Sequence, residues 1–140
     1  MRFVDTNVLL YAVLPDPEER EKQRIAEQVL KRDDLGLSTQ VLQEFFHQAA
    51  RPNRPFPLSA QEASAFLARL TARFPVQPVT LELFEEAVEI CQRYQLSYWD
   101  AAILAAARRM NCDAVYSEDL SDQQDCAGLR VINPFSSVSS

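Results

Sequence analysis

The chain has 140 residues, 47% of them hydrophobic and 24% charged, proportions typical of a single folded globular domain. Its two glycines do not form a glycine-rich loop, which excludes a P-loop and a dinucleotide-binding fingerprint. The three cysteines form no C-x-x-C pair, so neither a disulfide framework nor a zinc site is indicated. A net charge of −6 disfavours non-specific contact with a phosphate backbone, so any nucleic-acid role requires local positive charge from arginines or bound metal.

The apolar runs are too short to cross a membrane. The longest, residues 8–14 and 101–107, have seven residues each, whereas a membrane-spanning helix needs about 20. Asp5 and Asn7 interrupt the one N-terminal stretch that resembles the hydrophobic region of a secretory signal. We therefore expect a cytoplasmic protein that does not associate with membranes.

Apolar spacing, capping residues and prolines predict strands that alternate with helices. In chain order, the predicted elements are a strand at 2–4, helices at 7–14 and 18–32, a strand at 35–38, helices at 39–51 and 59–74, an edge strand or loop at 76–79, helices at 81–95 and 97–110, and strands at 114–116 and 129–132. Three prolines make a stiff loop between the third and fourth helices. Ser59 with Glu62, and Ser97 with Asp100, have the spacing of capping boxes.

This alternation predicts an α/β/α sandwich around a central, mostly parallel sheet of about four to five strands. We expect one domain over residues 1–135, followed by a serine-rich tail at 136–140 that frays. Ligands bind such folds at the carboxyl ends of the strands, and that edge is where a functional site is expected.

Three aspartates lie where this rule places a site. Asp5 ends the first strand, Asp100 lies in the first turn of the sixth helix, and Asp119 follows the strand at 114–116. Carboxylates gathered in one cleft repel each other and are tolerated chiefly when a cation neutralises them. Oxygen ligands of this kind suit Mg²⁺ or Mn²⁺, so a divalent metal site would explain the cluster.

Each aspartate also has a structural interpretation. Asp5 precedes a helix and is a candidate N-cap. Asp100 is the fourth residue of a capping box. Asp119 lies in an acidic loop of the kind usually found exposed at a surface. The joint occurrence of the three aspartates is what favours a site.

Several motifs, spread over nearly the whole chain, carry a family resemblance: residues 3–11, Glu44 in the third helix, and residues 97–103, 116–120 and 133–135. In these motifs the chain resembles the PIN-domain ribonucleases, in particular the VapC-type toxins of type II toxin–antitoxin pairs. The resemblance implies a PIN-like fold with a four-residue acidic metal site made of Asp5, Glu44, Asp100 and Asp119. It further implies supporting roles for Thr6, Asn7, Ser117 and Asp122.

The same resemblance implies a metal-dependent endoribonuclease that hydrolyses RNA phosphodiester bonds with one or two Mg²⁺ or Mn²⁺ ions. It implies an antitoxin partner that blocks the acidic cleft, and a homodimer. Only the resemblance selects Glu44, because its helical repeat is otherwise typical of a solvated face shared with Gln40, His47 and Arg51.

Two other classes of function compete with the nuclease. One is a non-catalytic PIN-like module that binds proteins. The other is a phosphatase or receiver-type phosphotransfer domain, which is disfavoured because the only lysines, Lys22 and Lys31, both lie in the second helix.

Further side chains have an open role in the sequence. Tyr98 and Trp99 are candidates for stacking on an RNA base, although aromatic residues at the start of an apolar helix are more often core. Two arginine pairs are candidates for holding phosphates: Arg51 with Arg54, and Arg108 with Arg109.

Overall fold

The structure is a computed structural model that describes residues 1–120 and 125–138. In chain order, the strands and α-helices of this part are β1 (Arg2–Val4), α1 (Thr6–Val13), α2 (Arg20–Leu30), β2 (Leu35–Ser38), α3 (Thr39–Ala49), α4 (Ala60–Arg73), β3 (Val76–Gln77), α5 (Leu81–Tyr94), α6 (Tyr98–Arg109), β4 (Ala114–Tyr116), β5 (Asp125–Cys126) and β6 (Leu129–Ile132). None of the helices described is long and apolar enough to cross a membrane.

The strands form one sheet in the order β3-β2-β1-β4-β6-β5. The first five strands in this order are parallel, and only β5 runs antiparallel to its neighbour. The prediction of an α/β fold with a central, mostly parallel sheet is therefore confirmed. The strand β3 lies at one edge of the sheet, where its flanking prolines cost no ladder hydrogen bond.

The strand β5, which was not predicted from the sequence, forms a tight hairpin with β6. Ala127 and Gly128 connect the two strands with φ angles of 56° and 80°. Two-residue hairpin turns of this kind need positive φ angles and usually contain Asn-Gly or Asp-Gly. Ala-Gly is a weaker signal because alanine rarely adopts a positive φ.

Capping residues define where the helices begin. The Ser38 hydroxyl accepts from the Val41 amide and caps α3, and the capping box of Ser59 with Glu62 forms at the start of α4. The second helix begins later than predicted, because Asp16 caps a short 3-10 turn at Pro17–Glu19 before α2 starts at Arg20. The tail boundary at residue 136 stays a prediction, since residues 139 and 140 lie outside the described part.

The core lies on both faces of the sheet, as expected for parallel strands covered by helices. Phe3, Leu35 and Val115 in the central strands are at most 1% exposed. The alanine-rich helix α6 packs against β2, β4 and β6 and along α5, and its residues 101–107 are all buried. Its small side chains allow this close approach, which brings the first turn of α6 to the carboxyl edge of the sheet.

The register of the strands determines which residues are neighbours at that edge. Val4 pairs with Tyr116, and the Asp5 amide donates to the Tyr116 carbonyl over 2.9 Å. The residues that follow β1 and β4 are therefore neighbours. Helix α1 starts after β1 and α3 starts after β2, so both present their N-termini there, where the helix dipole favours negative charge.

We expect Phe45→Ala to lower the free energy of unfolding by about 3–5 kcal/mol, because it leaves a cavity between α3 and α4. Phe45 is fully buried, and its ring centroid lies 5.1 Å from that of Phe66. The adjacent Phe46 is 41% exposed, so Phe46→Ala serves as the matched control and is expected to cost less than about 1 kcal/mol. Urea unfolding followed by circular dichroism measures both, and equal losses would contradict the assigned core.

Candidate active site

Asp5 lies at the centre of the carboxyl edge and is only 6% exposed. Its Oδ1 accepts from the Thr6 amide over 2.7 Å, and its Oδ2 accepts from the Ser117 hydroxyl over 2.8 Å. The structure thus makes Asp5 the N-cap of α1, as its structural interpretation predicts. Its second oxygen, Oδ2, bonds to Ser117 at the end of β4, so helix capping explains the position of only one of the two carboxylate oxygens.

Burial raises the pKa of the Asp5 carboxyl from 3.8 to about 6. The hydrogen bonds from Ser117 and Thr6 oppose this change, while the negative charges of Asp119 and Glu44 add to it. Two of the other acids implied by the family resemblance, Glu44 and Asp119, therefore lie close enough to act electrostatically on Asp5. A cation placed among them would relieve the cost of ionising Asp5.

Asp119 is held by two side chains from different parts of the chain. The Asn7 amide group donates to Asp119 Oδ2 over 3.0 Å, and the Ser117 hydroxyl oxygen accepts from the Asp119 amide over 3.2 Å. Asn7 also accepts from the Glu118 amide, and Ser117 from the Leu120 amide. These bonds fix the loop after β4 while leaving Asp119 itself exposed.

Glu44 is positioned by Gln40, a residue that the sequence analysis assigned to a solvated face. Gln40 is only 6% exposed, and its amide nitrogen donates to Glu44 Oε1 over 2.7 Å. The same nitrogen donates to the Trp99 carbonyl over 3.3 Å, which joins α3 to the start of α6. The solvated-face interpretation is wrong for this turn of α3, although it holds for His47 and Arg51, which are exposed.

Asp100 is half-buried in the first turn of α6. Its backbone amide donates to the Ser97 hydroxyl over 3.1 Å, so Ser97 caps the helix. The reciprocal bond of a capping box is absent, and in the described part of the chain the Asp100 carboxylate accepts no hydrogen bond. The capping interpretation therefore explains the Asp100 backbone but not its side chain, which remains available as a ligand.

A polar tether that the sequence analysis missed anchors the loop after β4. Glu118 accepts from the Tyr11 hydroxyl over 2.8 Å and pairs with Lys22 over 2.7 Å. The pairing with Glu118 raises the pKa of the Lys22 ammonium above its ordinary range. The Lys22–Glu118 partners are 96 residues apart in the chain, so no local pattern signals them.

The aromatic and arginine candidates for RNA contacts lie in different environments. Trp99 is 65% exposed, so the core interpretation is wrong for it, while Tyr98 is half-buried between the rings of Trp99 and Phe84. Arg108 and Arg109 both pair with Glu86, at 3.8 and 3.2 Å. Their charges are therefore already engaged on the surface of α5 and α6.

The donor chemistry of this edge fits a divalent cation. Carboxylates of Asp5, Glu44, Asp100 and Asp119 supply hard oxygen ligands, and the buried Thr6 hydroxyl beside Asp5 has no hydrogen-bond partner in the described structure. Within residues 1–120 and 125–138, however, there is no group of three or more acidic, histidine or cysteine side chains close enough together to hold a metal ion. Asp122 lies outside the described residues, so its supporting role stays a prediction.

A parallel α/β sandwich with acidic side chains at the carboxyl edge of its central strands defines the class of this protein. The PIN domain family model matches residues 2–125, and the chain belongs to the PIN domain family. The resemblance found in the sequence is thereby confirmed. Among curated proteins, no sequence matches the chain.

Solved structures share this fold over nearly their whole length. The toxin VapC20 of Mycobacterium tuberculosis, described as cleaving the sarcin–ricin loop, is 23% identical with a TM-score of 0.69, and the match covers 93% of this chain and 99% of that one. A toxin–antitoxin complex from Klebsiella pneumoniae is 20% identical with a TM-score of 0.68, covering 96% and 98%. VapBC2 from Rickettsia felis, bound to a promoter DNA fragment, is 14% identical with a TM-score of 0.65, covering 93% and 96%. At these identities the likeness concerns the fold.

We expect the free energy of unfolding of the metal-free protein to fall, relative to that of Asp5→Asn, as the pH rises from about 4 to about 6. The folded-state pKa of Asp5 is raised, so its contribution to stability is complete below the unfolded pKa of 3.8 and is lost as the pH passes about 6. The loss of wild-type stability relative to Asp5→Asn reaches about 3 kcal/mol once the pH is above the folded-state pKa of Asp5. Urea unfolding in EDTA across this range measures it, and parallel pH profiles for the two proteins would contradict the assignment.

Proposed function

We propose that this protein is a metal-dependent endoribonuclease that hydrolyses RNA phosphodiester bonds. The observation that carries the proposal is the electrostatic coupling of Asp5, Glu44 and Asp119 at the carboxyl edge of a PIN fold. Structural needs alone do not explain two further carboxylates placed close enough to a buried carboxylate to disfavour its ionisation. Asp100, whose carboxylate accepts no hydrogen bond in the described structure, is the fourth member of the proposed set.

In this proposal, the four carboxylates hold one or two Mg²⁺ or Mn²⁺ ions. A bound ion supplies an activated water at neutral pH and stabilises charge on the phosphate, so no side-chain nucleophile is needed. The residues around the acids have positioning roles. Ser117 and the Thr6 amide orient Asp5, Asn7 orients Asp119, and Gln40 orients Glu44.

The proposal extends to partners. Fold relatives include toxin–antitoxin complexes, and one of them is bound to promoter DNA. We infer that this chain is likewise the toxin of such a pair, acts in the cytoplasm, forms a homodimer and is blocked by an antitoxin segment at the acidic cleft. A PIN-like module that binds proteins without catalysis is the alternative, and the open spacing of the acids favours it.

We expect the protein purified without antitoxin to cut RNA from a total bacterial pool into discrete fragments in Mg²⁺ or Mn²⁺, and not in EDTA. Asp100→Asn should abolish the cutting, because it removes a ligand without disturbing a hydrogen bond that holds the fold. Asp113→Asn is the matched control, since Asp113 is exposed at the opposite end of β4. Gel electrophoresis of end-labelled RNA provides the measurement.

Cutting that survives both EDTA and Asp100→Asn would come from a contaminant and contradict the proposal. The absence of cutting by the wild-type chain, together with no change of its melting temperature in millimolar Mn²⁺, would favour the protein-binding module.

We expect Gln40→Ala to lower the cleavage rate by about 10–100-fold, as losses of groups that orient metal ligands commonly do. Gln43→Ala is the matched control, because Gln43 lies exposed on the same helix. If Gln40 acts by positioning Glu44, higher Mn²⁺ concentration should partly restore the rate of Gln40→Ala. A loss of rate that Mn²⁺ does not change would contradict that positioning role.

A further inference from the structure

A cavity of about 280 Å³ opens beside the acidic site. Asn7 and Asp119 form part of its wall, and Arg54 and Pro55 contribute another part from the loop between α3 and α4. The cavity therefore extends from the proposed metal ligands to a segment of chain that the proposed catalysis does not use.

Arg54 is held in a fixed position at this cavity. Its Nε donates to the Gln48 carbonyl over 2.8 Å, and its Nη2 donates to the Gln48 side-chain oxygen over 3.4 Å. A guanidinium has five N–H donors, so three remain for a ligand. A planar guanidinium suits phosphate oxygens because two of its N–H groups can donate in parallel.

The charges around the cavity make Arg54 distinctive. Among the described residues that line the cavity, only Arg54 is positively charged. Two of the acids there, Glu19 and Glu118, pair with Lys22, and Asp16 caps the 3-10 turn. Arg54 has no carboxylate partner among the described residues, and Asp119, whose carboxylate is hydrogen-bonded to Asn7, belongs to the acidic site.

The loop that carries Arg54 is stiff and strained. Prolines at positions 52, 55 and 57 restrict its backbone, and the Leu58 amide donates to the Ala49 carbonyl over 2.9 Å. Phe56 has a φ of 55° and is 51% exposed. An aromatic residue with a left-handed backbone conformation and an exposed ring contributes little to the stability of the fold. Backbone strain of this kind commonly occurs at binding sites.

We propose that Arg54 binds a backbone phosphate of single-stranded RNA beside the bond to be cut and so positions the strand across the acidic site. This inference rests on the proposed nuclease function and names a substrate-positioning residue for it. The guanidinium offsets the net negative charge of the protein locally, at the cavity that Asp119 also lines. An acidic side chain of a protein partner is the competing ligand, and it is favoured if Arg54→Ala leaves RNA binding and its salt slope unchanged.

The test compares Arg54→Ala with Arg51→Ala, which removes the same charge from the same loop at an exposed position outside the cavity. Binding of a fluorescein-labelled single-stranded RNA of mixed sequence is followed by anisotropy in Mg²⁺, with Asp100→Asn present in every protein to prevent cleavage. We expect Arg54→Ala to weaken binding about tenfold and to reduce the salt slope by about 0.7, the value for one phosphate on a single strand. Arg54→Lys should keep the slope. In chains with Asp100 intact, Arg54→Ala should raise KM more than it lowers kcat.

The outcomes are distinct. If the wild-type chain cuts RNA and Arg54→Ala binds it with the affinity and salt slope of Arg51→Ala, the assignment of Arg54 is wrong while the nuclease proposal stands. If Arg54→Ala weakens binding without changing the salt slope, Arg54 acts only through loop structure and the assignment is again wrong. If the wild-type chain neither cuts nor binds RNA, both proposals are wrong. Melting temperatures of the variants identify any that are misfolded, and Arg54→Lys then decides the case.

Discussion

The buried carboxylate of Asp5 is the constraint on which the rest of the site depends. It joins the end of β1 to the end of β4 through Ser117 and starts helix α1 through the Thr6 amide. Ser117 is fully buried and also holds the backbone of the loop that carries Asp119. One ionisable group thus connects the sheet, a helix start and the acidic loop.

In this arrangement the requirements of stability and the requirements of function conflict. Burial, and to a smaller extent the charges of Asp119 and Glu44, disfavour the ionised Asp5 carboxylate, so the metal-free protein carries an electrostatic cost at neutral pH. A divalent ion would reverse the sign of that interaction and couple metal binding to folding. The neighbouring hydrogen bonds keep the cost tolerable, because Ser117 and Thr6 stabilise the ionised form that a metal requires.

A second connection orients the opposite side of the cleft. Gln40 bridges Glu44 and the Trp99 carbonyl, so α3 and the start of α6 are fixed relative to each other by one buried amide. Such an amide has few alternative partners, and losing it would leave polar groups unsatisfied in a partly buried place. The cleft therefore lies between two polar junctions, Asp5 with Ser117 and Gln40 with Glu44, while the loop with Arg54 borders it on the cavity side.

The α/β class, the helices and the main strands could be predicted from the sequence, because apolar spacing and caps such as Ser38 and Ser59 act over a few residues. It also pointed to Asp5, Asp100 and Asp119, since each follows a strand or opens a helix; Glu44 came only from the family resemblance. Three features became visible only in the folded chain: Gln40 is buried and bonds to Glu44, Trp99 is exposed, and Lys22 reaches Glu118. The Gln40–Trp99 and Lys22–Glu118 bonds join segments 59 and 96 residues apart, and the Asp5–Ser117 bond spans 112 residues, so a local pattern does not encode them.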